Sequence, residues 1–288
     1  MLELLQNIST LDQADELLEE VIVVNNCSTV DYSPVTDFIA SQPHLPVKYF
    51  DAPENLGVAR GRNFALAKGK APLIIMLDDD SVLQNKDSLV NPKDEFSKPQ
   101  GDRQKAIVTF RVLYYDTLEM QRNALPHKDY DNYHRKHEFE TYYYAGGAHA
   151  VRRDVIEPLG AYPADFFYGM EEYDLSYRIL DAGYSIVYSD RITMLHKESP
   201  LGRKPKKEKV RMMWVNKTIV AHRYLPRIYC WSTALMWSMF YLRSTGFDVP
   251  GFIRGWKEVL AIRSSHQTKK ISGSTLSYLK HLKARLWY

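Results

Sequence analysis

The sequence predicts an α/β fold in which strands and helices alternate around a mainly parallel sheet with flanking helices. Short apolar runs rich in β-branched residues indicate strands at VIVVNN (21–26), VKYF (47–50) and LIIML (73–77). Between the last two, VARGRNFALAKG (58–69) has helical spacing and is followed closely by Pro72, which favours a helix end. A hydrophobic fraction of 45% over 288 residues is ample for a packed core.

Cysteine usage and the longest apolar stretch bear on the compartment. Cys27 and Cys230 are far apart, and the sequence shows no signal peptide, so we expect a reducing, cytoplasmic environment without a disulfide framework. The stretch IYCWSTALMWSMFYL (228–242) contains serines and a threonine. It is shorter than the roughly 20 residues that a membrane-spanning helix needs.

Three consecutive aspartates follow the third predicted strand, in LIIMLDDDSVL (73–83). Crowded carboxylates at a strand end repel one another unless a cation offsets the repulsion, and a hard divalent ion such as Mg²⁺ or Mn²⁺ does so. Because side chains alternate along an extended chain, Asp78 and Asp80 can face one way and Asp79 the other. The alternative is a solvated acidic turn in which Asp80 or Ser81 caps a helix.

Two further segments carry charge at predicted helix starts. NLGVARGRN (55–63) places Arg60 and Arg62 near a helix N-terminus, where a phosphate could bind. GMEEYDLSYRILDAG (169–183) combines a glycine entry, a helical apolar stripe and a glycine stop. The second segment therefore predicts a helix that begins near Glu171 and Glu172.

The order of these motifs resembles the family 2 glycosyltransferases with a GT-A-type, Rossmann-like fold, over residues 4 to about 200. VIVVNNCST resembles their nucleotide-binding strand and turn, LDDD their metal-binding DxD, and AGGAHAVRRDVIEPLGAY with GMEEYDLSYRILDAGY their acceptor and base region. The resemblance implies donor contacts by Asn25, Asn26, Asn55, Arg60, Arg62 and Asp79. It also implies a Mg²⁺ or Mn²⁺ site at Asp78, Asp80 and His196.

The reaction that this resemblance implies is an inverting sugar transfer. A nucleoside-diphosphate sugar, most often linked to UDP in this family, is the expected donor, and the expected acceptor is a saccharide or lipid-linked molecule in envelope polysaccharide synthesis. Glu172 is the expected general base, beside Glu171, although Asp is commoner than Glu at this position. The alternatives are a sugar-nucleotide nucleotidyltransferase and a non-catalytic binding protein.

The N-terminus departs from the family pattern. Family members open with a strand of the type VSVVIPTYN, whereas here LELLQNISTLDQADELL (2–18) resembles the helix that follows that strand. We therefore expect that the first strand of the fold is missing from this sequence.

The C-terminal residues differ in charge from the rest. Residues 1–200, the expected catalytic domain, hold 20 Lys and Arg against 32 Asp and Glu, whereas residues 201–288 hold 18 against 3. Helical spacing over 208–246 and in VPGFIRGWKEVLAIRSS (249–265) predicts a basic, amphipathic helical extension. We expect it to bind an anionic membrane surface at the inner face of the cell membrane, with no nucleic-acid partner. The alternative is a helical cap on the catalytic domain.

Overall fold

The computed structural model describes residues 1–98, 101–198 and 205–287. The described residues form eight strands: β1 Val21–Asn25, β2 Val47–Asp51, β3 Leu73–Leu77, β4 Ser81–Leu83, β5 Lys105–Tyr114, β6 Glu138–Thr141, β7 Ala148–Arg152 and β8 Ser185–His196. The three strands predicted from apolar runs are β1, β2 and β3, and their bounds agree with the prediction within one residue.

Helices lie between the strands and after the last one. Those of the first 198 residues are α1 Leu2–Ile8, α2 Ala14–Leu17, α3 Ser33–Ser41, α4 Gly57–Lys68, α5 Val90–Ser97, α6 Tyr130–Tyr133, α7 Arg153–Leu159 and α8 Glu171–Asp181. The C-terminal region is helical, as expected, with α9 Lys206–Tyr224, α10 Arg227–Thr245, α11 Val249–Ser265 and α12 Gly273–His281. The expected domain boundary at 200/201 falls outside the described residues.

The strands form two sheets. β1 and β2 are a parallel pair, and the larger sheet has the order β3-β7-β5-β8-β4, with β6 also paired to β8. Its two longest strands, β5 and β8, are parallel, and β3 points the same way because both β3 and β5 are antiparallel to β7. The short strands β4, β6 and β7 run in the opposite direction.

Strand direction determines where the polar residues after the strands lie. The carboxyl ends of β3 and β8 face the same edge of the larger sheet, and Asp78 and His196 lie there. Antiparallel pairing of β4 with β8 sets Ser81 opposite His196, which brings Asp80 close to that histidine. The register of β3 with β7 sets Leu77 opposite Ala148, so Gly147 reaches the same edge.

The N-terminal segment is divided into two short helices rather than the one helix that its pattern predicted. Gln13 has a left-handed φ of 56° between α1 and α2, and this interrupts the helix. Leu4 and Ile8 of α1 pack with Leu45 of the segment before β2 and with Leu77 of β3. α1 therefore packs against residues of both sheets.

Helices α9 to α12 share a hydrophobic core with the sheet domain. Trp214 of α9 is fully buried, and its indole Nε1 donates to the Ala234 carbonyl of α10 at 3.0 Å. Its ring packs on Phe252 and Trp256 of α11. The same cluster continues into α8 and the sheet. In the described part of the chain, no helix is both long enough and apolar enough to cross a membrane.

Truncation of Trp214 tests how far this core stabilises the fold. We expect Trp214→Ala to lower the free energy of unfolding by about 3–5 kcal/mol, because it leaves a large cavity where three helices meet. Trp231→Ala on α10 is the matched control, since its side chain is exposed, and we expect a change within about 0.5 kcal/mol. Urea unfolding of both variants measures the difference, and equal losses would contradict the packing argument.

Candidate active site

Three potential metal ligands meet at the sheet edge. Asp78 directly follows β3, Asp80 lies two residues further on, and His196 is the last residue of β8. One ligand atom from each lies within 4.8 Å of the others. His196 Nε2 is 3.2 Å from Asp80 Oδ1, and this contact raises the pKa of His196. Two carboxylates and an imidazole are ligands that Mn²⁺ or Mg²⁺ can use.

A single buried guanidinium connects this group to helix α8. Arg62 Nη1 of α4 is 3.1 Å from Glu171 Oε1 and 3.1 Å from Glu172 Oε1. Its Nη2 is 3.7 Å from Asp78 Oδ1, and the guanidinium also lies over the Tyr162 ring. Arg62 therefore neutralises part of the charge of carboxylates from β3 and α8.

The two glutamates differ in their surroundings. The Glu171 side chain is 3% exposed, whereas that of Glu172 is 17% exposed. Burial, and then the negative charge of Glu172, raise the pKa of Glu171. The side chain of Glu172 is therefore more accessible to a bound molecule than that of Glu171.

The turn before α8 sets the direction of both glutamates. Gly169 and Met170 have left-handed φ values of 77° and 73°, which glycine adopts freely and methionine does not. Asn216 Nδ2 of α9 donates to the carbonyls of Tyr168 and Gly169, at 3.0 and 2.9 Å. Helix α9 therefore holds the turn in this conformation.

No motif in the sequence indicates that Asn216 contributes to the site. Its contacts lie 47 and 48 residues away in the chain, and a single asparagine in a helix has no distinguishing pattern. Arg223 of the same helix ion-pairs with the buried Asp174 of α8 at 2.8 Å, and Tyr224 Oη donates to Asp174 at 3.0 Å. These contacts attach α9 to α8.

Two glycines before β7 allow the backbone to approach the carboxylates. A Cβ at Gly147 would overlap the carboxylate of Asp78, and one at Gly146 would overlap Glu172 Oε1 and crowd Arg62. Gly146 and Gly147 of the AGGAH segment therefore line the site at two positions where a larger residue would collide with the carboxylates.

The remaining predicted residues lie around this centre rather than in it. Asn26 accepts from Leu56 N and donates to the Gly57 carbonyl, and Asn55 accepts from Gly57 N. Both side chains thus hold the start of α4. Asn25 bonds Asp51 and Ser28 at the end of β1. Arg60 points outward to an ion pair with Glu54 at 2.7 Å, and Asp79 is exposed beside the metal group.

Gly147→Ala should move the Asp78 carboxylate and weaken metal binding. We expect the affinity for Mn²⁺ to fall by roughly 10–100-fold, the range for disturbing the surroundings of a metal ligand. Gly273→Ala is the control, because a Cβ there meets no atom within 4 Å. Calorimetric titration with Mn²⁺ gives both affinities, and an unchanged affinity for Gly147→Ala would refute the close approach.

Glu171→Gln should change the pH dependence of stability. Because the pKa of Glu171 is raised above its ordinary value of 4.5, the folded chain retains a proton that the unfolded chain releases above that pH. The contribution of this group to the free energy of unfolding is complete below pH 4.5 and declines as pH rises towards the raised pKa. We expect Glu171→Gln to gain stability relative to wild type over that interval.

Urea unfolding of the metal-free proteins at several pH values measures this gain. Glu16→Gln is the control, since it makes the same chemical change at a glutamate that is exposed on α2. A pH-independent difference for Glu171→Gln would mean that burial does not shift this carboxyl.

Comparisons with known proteins identify the family of the chain. Residues 3–160, more than half of the chain, match the model of the family described as glycosyl transferase family 2. An uncharacterized protein of Haemophilus influenzae is 26% identical over 150 residues, which cover 51% of this chain and 77% of the relative.

Solved structures share the fold. The mannosyltransferase PcManGT from Pyrobaculum calidifontis, in complex with GDP-Man and Mn²⁺, has a TM-score of 0.58 and 19% identity, covering 99% of this chain and 76% of its own. S. aureus TarS 1-349 in complex with UDP-GlcNAc has a TM-score of 0.59 and 15% identity, with coverages of 90% and 76%. GalNAc-T7 with UDP, GalNAc and Mn²⁺ has a TM-score of 0.59 and 12% identity, with coverages of 91% and 54%.

At these low sequence identities the similarity to solved structures establishes the fold alone. Membership of the family is established by the match of residues 3–160. The chain belongs to glycosyl transferase family 2, has a GT-A-type fold and is a glycosyltransferase.

Proposed function

We propose that this glycosyltransferase moves a sugar from a nucleoside-diphosphate sugar, linked to UDP, to a saccharide or lipid-linked acceptor with inversion at the anomeric carbon. The proposal rests on one observation: buried Arg62 contacts Asp78 of the potential metal site and also Glu171 and Glu172. One side of the site has the ligands for a metal-bound diphosphate, and the other side has a carboxylate that can accept a proton.

Departure of the diphosphate is the first requirement of the reaction. Asp78, Asp80 and His196 would hold Mg²⁺ or Mn²⁺, which neutralises negative charge that develops on the leaving phosphate. Asp79 is exposed beside this group, and we assign it to donor binding together with Asn25, Asn26, Asn55, Arg60 and Arg62. Asn26 and Asn55 would act through the start of α4, which their side chains hold.

Attack by the acceptor hydroxyl is the second requirement. A general base has to be ionised and within reach of the hydroxyl. Glu172 is the more exposed of the two glutamates, so we assign the base to Glu172. Glu171, whose pKa is raised by burial, would position the acceptor by donating or accepting a hydrogen bond. Removal of the proton as the hydroxyl attacks opposite the diphosphate gives a single displacement and inversion.

The cellular setting is part of the proposal. We assign catalysis to residues 1–200 and attachment to residues 201–288, and we place the enzyme in the cytoplasm, peripheral to the inner face of the cell membrane. A lipid-linked acceptor of envelope polysaccharide synthesis, which we include in the proposal, would be presented at such a surface.

Glu172→Gln should separate chemistry from donor binding. We expect transfer to fall by about 10²–10⁴-fold, the contribution of a positioned general base, because the amide cannot take the hydroxyl proton. The affinity for UDP with Mn²⁺ should stay close to that of wild type. Release of UDP from a panel of UDP-sugars and acceptors, with calorimetry of UDP binding, measures both quantities.

Two controls complete this test. Asp80→Asn should lose metal-dependent binding of UDP, which Glu172→Gln retains. The anomeric configuration of the product, read by NMR, should be opposite to that of the donor. Near-normal turnover in Glu172→Gln would remove Glu172 from the role of base, and a retained configuration would exclude the single displacement.

A further inference from the structure

Helix α10 exposes large apolar side chains on the side that faces away from the protein. Its buried side combines the small residues Thr233, Ala234 and Ser238 with two tyrosines, Tyr229 and Tyr241. The outward side is also apolar, and the residues exposed there are Ile228, Trp231, Leu235, Met236, Met239 and Phe240. A helix that faces water normally shows polar or charged residues on that side.

The neighbouring helix continues this apolar surface. α11 packs against α10 and also exposes large apolar residues, among them Ile253 and Leu260. Between the helices, Phe247 is 73% exposed, and Val249 begins α11 with its side chain exposed. We call the exposed apolar side chains of residues 228–260 the α10–α11 face. Soluble monomers rarely expose an apolar surface of this extent without a partner.

The charges beside this face are almost all positive. Arg227 and Arg243 are exposed at the two ends of α10, a helix without any acidic residue. On α11, Arg254 and Lys257 are exposed among the apolar side chains. Glu258, the acidic residue of α11, forms an ion pair with Arg211 of α9. Cations at the margin of an apolar surface match the anionic headgroups and acyl chains of a phospholipid leaflet.

We propose that the α10–α11 face binds an anionic phospholipid surface, with α10 lying in the plane of the headgroups. Its apolar side chains enter the acyl boundary, and its arginines stay at the phosphate level, where long basic side chains reach water and lipid phosphate together. A second copy of the chain is the weaker fit, because pairing two such faces would bring like charges together. This surface specifies which residues make the membrane attachment of the proposed function, and it rests on that part of the proposal.

Vesicle flotation of the full chain tests the proposal. We expect the wild type to float with vesicles of phosphatidylcholine and phosphatidylglycerol at low salt, and to float less with phosphatidylcholine alone. Combined replacement of Trp231, Leu235 and Phe240 by serine should lower the vesicle affinity by at least about tenfold. The control carries Val30→Ser and Leu118→Ser, which remove equally exposed apolar residues outside the face, and should float as the wild type does.

A second measurement tests directly whether α10 contacts the lipid. Brominated phospholipids should quench the fluorescence of Trp231, and the quenched fraction should fall in Trp231→Phe, which keeps an apolar side chain. Arg243→Gln with Lys257→Gln should weaken binding to anionic vesicles and leave the smaller binding to phosphatidylcholine unchanged.

Two outcomes would overturn the proposal. The first is absence of wild-type binding to anionic vesicles, whether or not sedimentation shows a self-association that the serine variant abolishes. The second is an equal loss of binding in the Val30 and Leu118 control. Binding of UDP with Mn²⁺ is measured in every variant. Loss of vesicle binding with UDP binding intact concerns this surface alone, and transfer failure with vesicle binding intact concerns only the proposed function.

Discussion

The ion pairs of Arg62 are the interaction on which the site depends. A buried cation without partners is strongly unfavourable, and so are buried carboxylates without a cation. Arg62 meets both requirements, because it contacts carboxylates that come from β3 and from α8. These groups lie on α4, directly after β3 and on α8, and α8 follows the other two only after several further strands and helices. Their packing is therefore constrained by one guanidinium as well as by the apolar core.

The charge of the site explains why a divalent ion fits it. Asp78, Asp80, Glu171 and Glu172 gather at one edge of the sheet, and Arg62 supplies a single positive charge in return. Burial raises the pKa of Glu171 and that of Asp78, because a buried carboxylate loses its stabilisation by water. Asp78 and Asp80 are the carboxylates that meet His196 at the potential metal site. Mg²⁺ or Mn²⁺ at that position would complete the balance without changing the fold around Arg62.

Features that are local in sequence could be predicted, and features that need tertiary contacts could not. The run of aspartates after β3 and the glutamate pair at the start of α8 follow from apolar periodicity and end signals. Nothing in NLGVARGRN shows that Arg62 also contacts two glutamates more than a hundred residues later in the chain. Asn216 and the close approach of Gly147 depend on how separate elements pack. The short antiparallel strands have too few residues for a distinct alternation. The spacing in α10 indicated a helix but did not show which side faces the protein.

The packing of α9 sets the distance between the site and the α10–α11 face. One side of this helix holds the turn of Glu171 and Glu172 through Asn216, and Trp214 on the same helix packs against α10 and α11. With α10 at a lipid surface, the height of the carboxylates of α8 above that surface would be set by packed side chains and not by a flexible linker. A change in the packing of α9 on α10 and α11 would therefore alter that height while leaving the residues of the site unchanged.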